Sequence, residues 1–289
     1  MLTKEQFQKK LSTGTLILDG ATGSNLRAAG MPKDCCTEQW ILENPESLVA
    51  LQRAYAQAGS NIVYAPTFQA QPLALEKVGL DSHTEKVNEA LVALSRSAAP
   101  GCLIAGDLTT MAASCESWDP DNFDIMVAAY RRQIRGLVDG GADLLIGETL
   151  LYPLEAEAIF EAAQQEKAGA ILFSFTMQPD GTLFSGQDAG KALHELERMG
   201  AAAVGFNCVA ASEDTPFLIS KLRRSVKGPL ICKPNAGLPS TAPDGTEVYS
   251  MIPADFSRIL RQCRNNGANL LGGCCGTTPA HIAALAEIR

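Results

Sequence analysis

The chain has 289 residues, with 32 acidic against 24 basic side chains and a formal net charge of −8. That length accommodates one large barrel or two small domains with a substantial core, and the acidic balance argues against nucleic acid or an anionic membrane surface as a partner. No 18-residue apolar run marks a membrane-spanning helix, the polar start from Met1 to Lys10 is no secretory signal, and nine cysteines without framework spacing fit free or metal-bound thiols in the reducing cytoplasm.

The elements predicted in chain order alternate. A leading helix over 4–11 covers the bottom of the fold. A strand over 15–20 runs into Asp19-Gly20-Ala21-Thr22-Gly23, and a helix over 46–58 ends at Gly59. A strand over 61–68 ends in Thr67-Phe68-Gln69, and a helix follows over 84–98. The strand over 102–109 carries Asp107, and the helix over 123–139 precedes Gly141. The strand over 144–150 carries Glu148-Thr149, followed by a helix over 154–167. A strand over 171–177 and a helix over 191–199 lead to Gly200. The strand over 203–209 ends in Asn207-Cys208, and the next helix spans 215–226. The strand over 230–237 ends in Pro234-Asn235-Ala236-Gly237, and a helix over 254–265 precedes Gly267. A last strand over 270–275 ends in Cys274-Cys275, and Thr278 caps a helix over 279–288 that opens on Pro279.

Eight apolar strands alternating with eight helices form the pattern of a (β/α)8 barrel, read here as a single domain over 1–289. A doubly wound open sheet is the alternative. Barrels of this class carry their chemistry at the C-terminal ends of the strands, where the polar residues of this chain converge.

Cys208 and the run Gly272-Gly273-Cys274-Cys275-Gly276 stand out among those ends. Adjacent side chains on a regular strand point to opposite faces, so Cys274 and Cys275 can share one ion only if the backbone leaves strand geometry. The flanking glycines permit that. Buried packing cysteines are the alternative, and Cys102, Cys232 and Cys263 read that way. Thiolates select zinc, copper(I) or iron–sulfur, and three of them with an open position for a substrate suit a mononuclear zinc. Zinc with three thiolates carries one excess negative charge, which makes it a poor activator of water but suits activation of a thiol. An unbound thiol, with pKa near ~8.5, is only slightly ionised at neutral pH. His83, His194 and His281 read as surface residues. Cys35, Cys36 and Cys115 fall in loops on the same face and read as free thiols.

The string Gly-Gly-Cys-Cys-Gly-Thr-Thr-Pro, preceded by Asn-Cys and Pro-Asn-Ala-Gly-Leu-Pro and opened by Leu-Asp-Gly-Ala, resembles the homocysteine S-methyltransferase family over essentially the whole chain. Within it, the similarity is greatest to the homocysteine-binding barrel of cobalamin-dependent methionine synthase. The resemblance implies a (β/α)8 barrel, zinc on Cys208, Cys274 and Cys275, and homocysteine bound through its sulfur. It implies that Asp19 and Glu148 hold the substrate amino group, that the Gly20-Ala21 backbone receives its carboxylate, and that Asn235 lies close to the metal. Asp19 and Asn235 also fit plain turn roles. Glu148 closes an apolar strand, where a carboxylate needs a partner.

The family uses methylated corrinoids, methylsulfonium compounds or betaine as methyl donors. The Cys-Cys-Gly-Thr-Thr ending favours a corrinoid, carried with any folate on another polypeptide. Methylsulfonium-dependent members more often place Arg where this chain has Gly276. Betaine requires an aromatic cage; aromatics are 6% of the chain, and Gln69 stands where betaine enzymes carry tyrosine. Trp118 suits one cage wall or a partner interface. Two readings from other classes are an inactive zinc-stabilised docking subunit and a redox enzyme using Cys274-Cys275.

Overall fold

The computed structural model of the protein describes residues 1–242 and 247–288. Ten strands occur among them: β1 Leu16–Ile17, β2 Ile62–Tyr64, β3 Leu103–Thr109, β4 Leu144–Leu150, β5 Ile171–Phe175, β6 Ala203–Ala210, β7 Leu230–Asn235, β8 Pro239–Thr241, β9 Glu247–Tyr249 and β10 Leu270–Leu271. Eight of these form one parallel sheet in the order β1-β10-β7-β6-β5-β4-β3-β2. A parallel bridge between Leu18 and Ile62 joins the two edges and closes the barrel. The Asn61 side chain secures that seam by accepting the Ile17 N–H at 2.8 Å. An open doubly wound sheet is thereby excluded.

Helices alternate with the barrel strands, and the leading helix Lys4–Leu11 lies where the sequence places it. Thr3 and Gln6 cap that helix reciprocally. Its Phe7 is fully buried and plugs the barrel bottom against Leu18, Ile62, Leu144 and Ile231. The preceding residue Leu2 ties the plug down through backbone bonds to Asp143 and Ala170, each 2.7 Å.

Period-two alternation then explains the interior. In β3 the inward positions are Leu103, Ala105 and Asp107; in β4 they are Leu144, Ile146 and Glu148; in β7 they are Ile231 and Lys233. The outward positions between them, such as Ile104, Leu145 and Cys232, pack under the helices. The barrel interior therefore has an apolar lower layer and a polar upper layer built from the same strands, two residues further on.

Several sequence expectations need adjustment. The first and last barrel strands end at Ile17 and Leu271 rather than reaching Gly20 and Cys275, because the turns holding Asp19 and the two cysteines leave the ladder. Helices Gly23–Ala28 and Thr37–Glu43 and the β8–β9 hairpin were not expected. Each is too short to show a helical or strand period. His281 is no surface residue: it is 6% exposed, its Nδ1 approaches Thr278 and its Nε2 lies 2.9 Å from the Met251 carbonyl. The helical period of its segment is right, but that side faces the neighbouring helix Pro253–Asn265, where Phe256 meets the ring edge-on.

Candidate metal centre and substrate cavity

The upper layer opens into a cavity of about 280 Å³. Its floor is formed by Asp19, Tyr64, Asp107, Glu148 and Lys233, and the three cysteines form one wall. Helices Gly23–Ala28 and Thr37–Glu43 add Ser24, Arg27 and Glu38 to the lining, with Ser24 Oγ accepting the Gly276 N–H at 3.3 Å.

The sulfur atoms of Cys208, Cys274 and Cys275 all lie within 4.8 Å of one another. A tetrahedral zinc with Zn–S bonds of about 2.3 Å places its sulfurs about 3.8 Å apart, so the donor set fits with small side-chain adjustments. Two backbone features bring the thiols together. The β6–β7 register shifts between Asn207 and Ala210, and Cys208 adopts φ +57° within that irregularity. After β10 the chain turns at Gly276 with φ +78°, a conformation that favours glycine. A Cβ there would meet the Tyr249 ring at 2.1 Å.

Asn235 pins both ligand-bearing segments. Its Oδ1 accepts the Cys275 N–H at 3.0 Å, and its Nδ2 donates to the Cys208 carbonyl at 3.3 Å. It is buried behind the thiols and does not line the cavity. Hydrogen bonding among the three thiols pulls Cys275 down and pushes Cys208 up.

Sequence reasoning missed Lys233 and gave Asn207 no role of its own. Lys233 is 3% exposed, with its Nζ 3.5 Å from Glu148 Oε2, 3.9 Å from Asp19 Oδ1 and 4.6 Å from the Tyr64 ring centroid. Burial opposes its charge, but Glu148, Cys274 and Asp19 outweigh that and hold it well above the usual lysine range. Its inward parity with Ile231 was readable from the strand. Asn207 is fully buried at the centre of a network. Its Nδ2 donates to Thr149 Oγ1 at 2.7 Å and Glu148 Oε2 at 3.3 Å, and its Oδ1 accepts from Thr149 N at 2.8 Å and Ser174 Oγ at 2.9 Å. Those bonds hold Thr149 at φ +57°, within the β4–β5 register shift between Gly147 and Leu150.

Asp19 accepts the Tyr64 N–H at 2.8 Å through Oδ2. Burial pushes the carboxyl groups of Asp19 and Glu148 up to about 7, against the downward pull of Lys233. Glu38, unremarked in the sequence, is buried and accepts the Gln69 N–H at 2.7 Å. The remaining loop cysteines stand apart from the cluster. The Cys35 thiol meets the Pro32 carbonyl at 3.2 Å, the Cys36 thiol meets Glu38 at 3.5 Å, and Cys115 packs against the core. Trp118 is 50% exposed and packs against Tyr152 at 5.6 Å, outside the cavity. Among the described residues no helix is long and apolar enough to cross a membrane.

A buried carboxylate floor thus stands beside a three-thiol wall. The methionine synthase of Mycobacterium tuberculosis is 28% identical over 302 aligned residues, covering 96% of this chain and 25% of that protein, so the chain spans about a quarter of this relative's length. The metallated form of the Escherichia coli homocysteine methyltransferase MmuM superposes with a TM-score of 0.83 at 28% identity, over 98% of this chain and 99% of that one. The oxidised form of MmuM gives 0.80 at 29% identity, over 95% and 96%. The family profile described as homocysteine S-methyltransferase matches residues 16–289, and the chain belongs to that family.

Proposed function

We propose that this protein is a zinc-dependent methyltransferase that converts homocysteine to methionine. The observation that carries the reading is the three-sulfur cluster on the wall of a cavity floored by buried carboxylates. When bound, zinc lowers the pKa of a coordinated thiol and leaves the thiolate nucleophilic. Cys208, Cys274 and Cys275 would hold it, with Asn235 fixing the backbones of Cys208 and Cys275. Glu148 and Asp19 receive the substrate ammonium as charged acceptors. The substrate carboxylate meets the turn after β1. There the Ala21 N–H already donates to Thr277 Oγ1 at 3.1 Å, which favours Gly20 and the residues opening helix Gly23–Ala28 as its donors. In the reaction the substrate sulfur forms a bond to the donor's methyl carbon. The bond from that carbon to the donor breaks, and the donor keeps the electron pair.

We take the donor to be a methylated corrinoid carried on another polypeptide or segment. The crowding at Gly276 supports this, because Tyr249 fills the place that a side chain such as arginine would need. The whole-length likeness to MmuM keeps a methylsulfonium donor as the second reading. Turnover with methylcobalamin, and none with S-methylmethionine, S-adenosylmethionine or betaine, would decide for the first. The free thiols suit the reducing cytoplasm.

Thiol activation has its own test. Zinc must take the thiolate while free homocysteine is mostly protonated, so binding at neutral pH should release about one proton. Calorimetry of the zinc-loaded protein in buffers of different ionisation enthalpy reads that proton directly. Heats independent of the buffer would defeat the mechanism.

A further inference from the structure

Three buried carboxylates, Asp19, Asp107 and Glu148, line the cavity floor. Their pairing is unequal. Lys233 lies within 4.0 Å of Asp19 and Glu148, and Tyr64 N–H and Asn207 Nδ2 add hydrogen bonds to the same two side chains. Asp107 has none of this. It is 4% exposed and, like Asp19 Oδ1, its Oδ1 is buried with no hydrogen-bond partner among the described residues; unlike Asp19, it is reached by no salt bridge among them.

Its backbone, by contrast, is fully used. Asp107 N–H donates to Thr67 Oγ1 at 3.0 Å, and its carbonyl accepts from Thr67 Oγ1 at 2.8 Å and Gln133 Nε2 at 3.2 Å. The side chain stands in phase with Ala105 and lines the cavity, and no hydrogen bond or salt bridge among the described residues uses it. A buried carboxylate left this way is costly. Three carboxylates share the floor with one lysine, whose charge reaches Asp107 but whose ammonium lies within 4.0 Å of only Asp19 and Glu148 among them. Burial pushes the Asp107 carboxyl well above the usual carboxylate range, Lys233 pulls it down, and the charge that raises it most is Glu148. It stands on the neighbouring strand, where the register pairs Thr109 with Glu148 and Asp107 with Ile146.

We propose that Asp107 is a substrate-binding residue that receives the ammonium of the amino-acid thiol together with Glu148, while Lys233 holds Asp19 and Glu148 from the other side as a fixed internal counter-ion. This rests on the reading of the cavity as a homocysteine site and assigns its cation specificity to a residue outside the pair that the family resemblance indicates. A thiol bearing a primary ammonium near its carboxylate is the chemistry selected; an otherwise identical thiol without the amino group gains nothing from Asp107.

The test uses the zinc-loaded full chain and two probes, homocysteine and its desamino analogue mercaptobutyrate, with affinities from calorimetry and KM and kcat from methyl transfer. Asp107→Asn preserves shape and removes the charge. It should weaken homocysteine binding roughly ten- to a hundredfold, raise KM with little change in kcat, and leave mercaptobutyrate affinity and zinc content unchanged. Should that variant fail to fold, Asp107→Ser must show the same selective loss. Unchanged homocysteine affinity, or equal losses for both thiols, overturns the assignment of Asp107. If neither thiol binds the unaltered zinc-loaded protein, the homocysteine reading fails first, and the assignment of Asp107 falls with it.

Discussion

The lower and upper halves of the barrel interior come from the same strands, yet they obey different physics. Below, Leu144, Ile146, Leu172 and Ile231 meet Phe7 in a dry layer where every contact is apolar. Above, one inward step along the same strands, Glu148, Ser174 and Lys233 form a layer in which almost every atom needs a specific partner. The lower layer tolerates any well-packed apolar set of the right volume. The upper layer depends on individual atoms, because a buried carboxylate or ammonium is stable only opposite its counterpart. Stability and chemistry are thereby separated along each strand, the usual division between the two faces of such barrels.

The strongest way to break this division is at the metal wall. Cys275→Ala should abolish zinc retention and turnover while the barrel keeps its fold, since the lower layer is untouched. Metal analysis and circular dichroism of the same sample check it, and full zinc occupancy would remove Cys275 from the ligand set.

Next in size is a change to the plug. Phe7→Ala should destabilise the protein by about 3–5 kcal/mol in denaturant titration, the range for emptying a buried aromatic site. The folded fraction should still bind zinc and homocysteine with unchanged affinity. A weakened site would show that the plug transmits strain to the upper layer and that the separation is false.

The smallest expected effect sharpens the upper layer itself. A charged hydrogen bond to the substrate ammonium contributes about 1.5–3 kcal/mol, so Glu148→Gln should weaken homocysteine binding roughly ten- to a hundredfold. Mercaptobutyrate should bind the variant and the parent about equally, and zinc should remain. Loss of zinc would instead show that Glu148 supports the thiol wall through its contact with Asn207.

The sequence alone determined the barrel and the placement of its polar residues. Alternation of apolar runs with helical periods is local, and each strand shows it without help from its neighbours. The strands Leu144–Leu150 and Leu103–Thr109 illustrate this, with bounds that match or nearly match their expected spans. The cysteines were legible for a related reason: glycines around Cys274 and Cys275 signal a departure from strand geometry, and Gly276 makes it.

Only the tertiary structure decided how the upper layer is wired. Lys233, Asp107 and Asn207 sit on β7, β3 and β6, and nothing near any of them in sequence says whether a partner waits across the barrel. Closure of the sheet answers that. It puts Lys233 between Asp19 and Glu148, joins Asn207 to Thr149 and Ser174, and leaves Asp107 Oδ1 without a hydrogen-bond partner among the described residues. His281 makes the same point from outside the barrel: its helix was readable, but its burial depended on a neighbouring helix that only the closed fold brings against it. Periodicity reports which face a side chain occupies. The groups that meet across that face are set by closure of the chain over long sequence separations, and there the energetics of buried charge are decided.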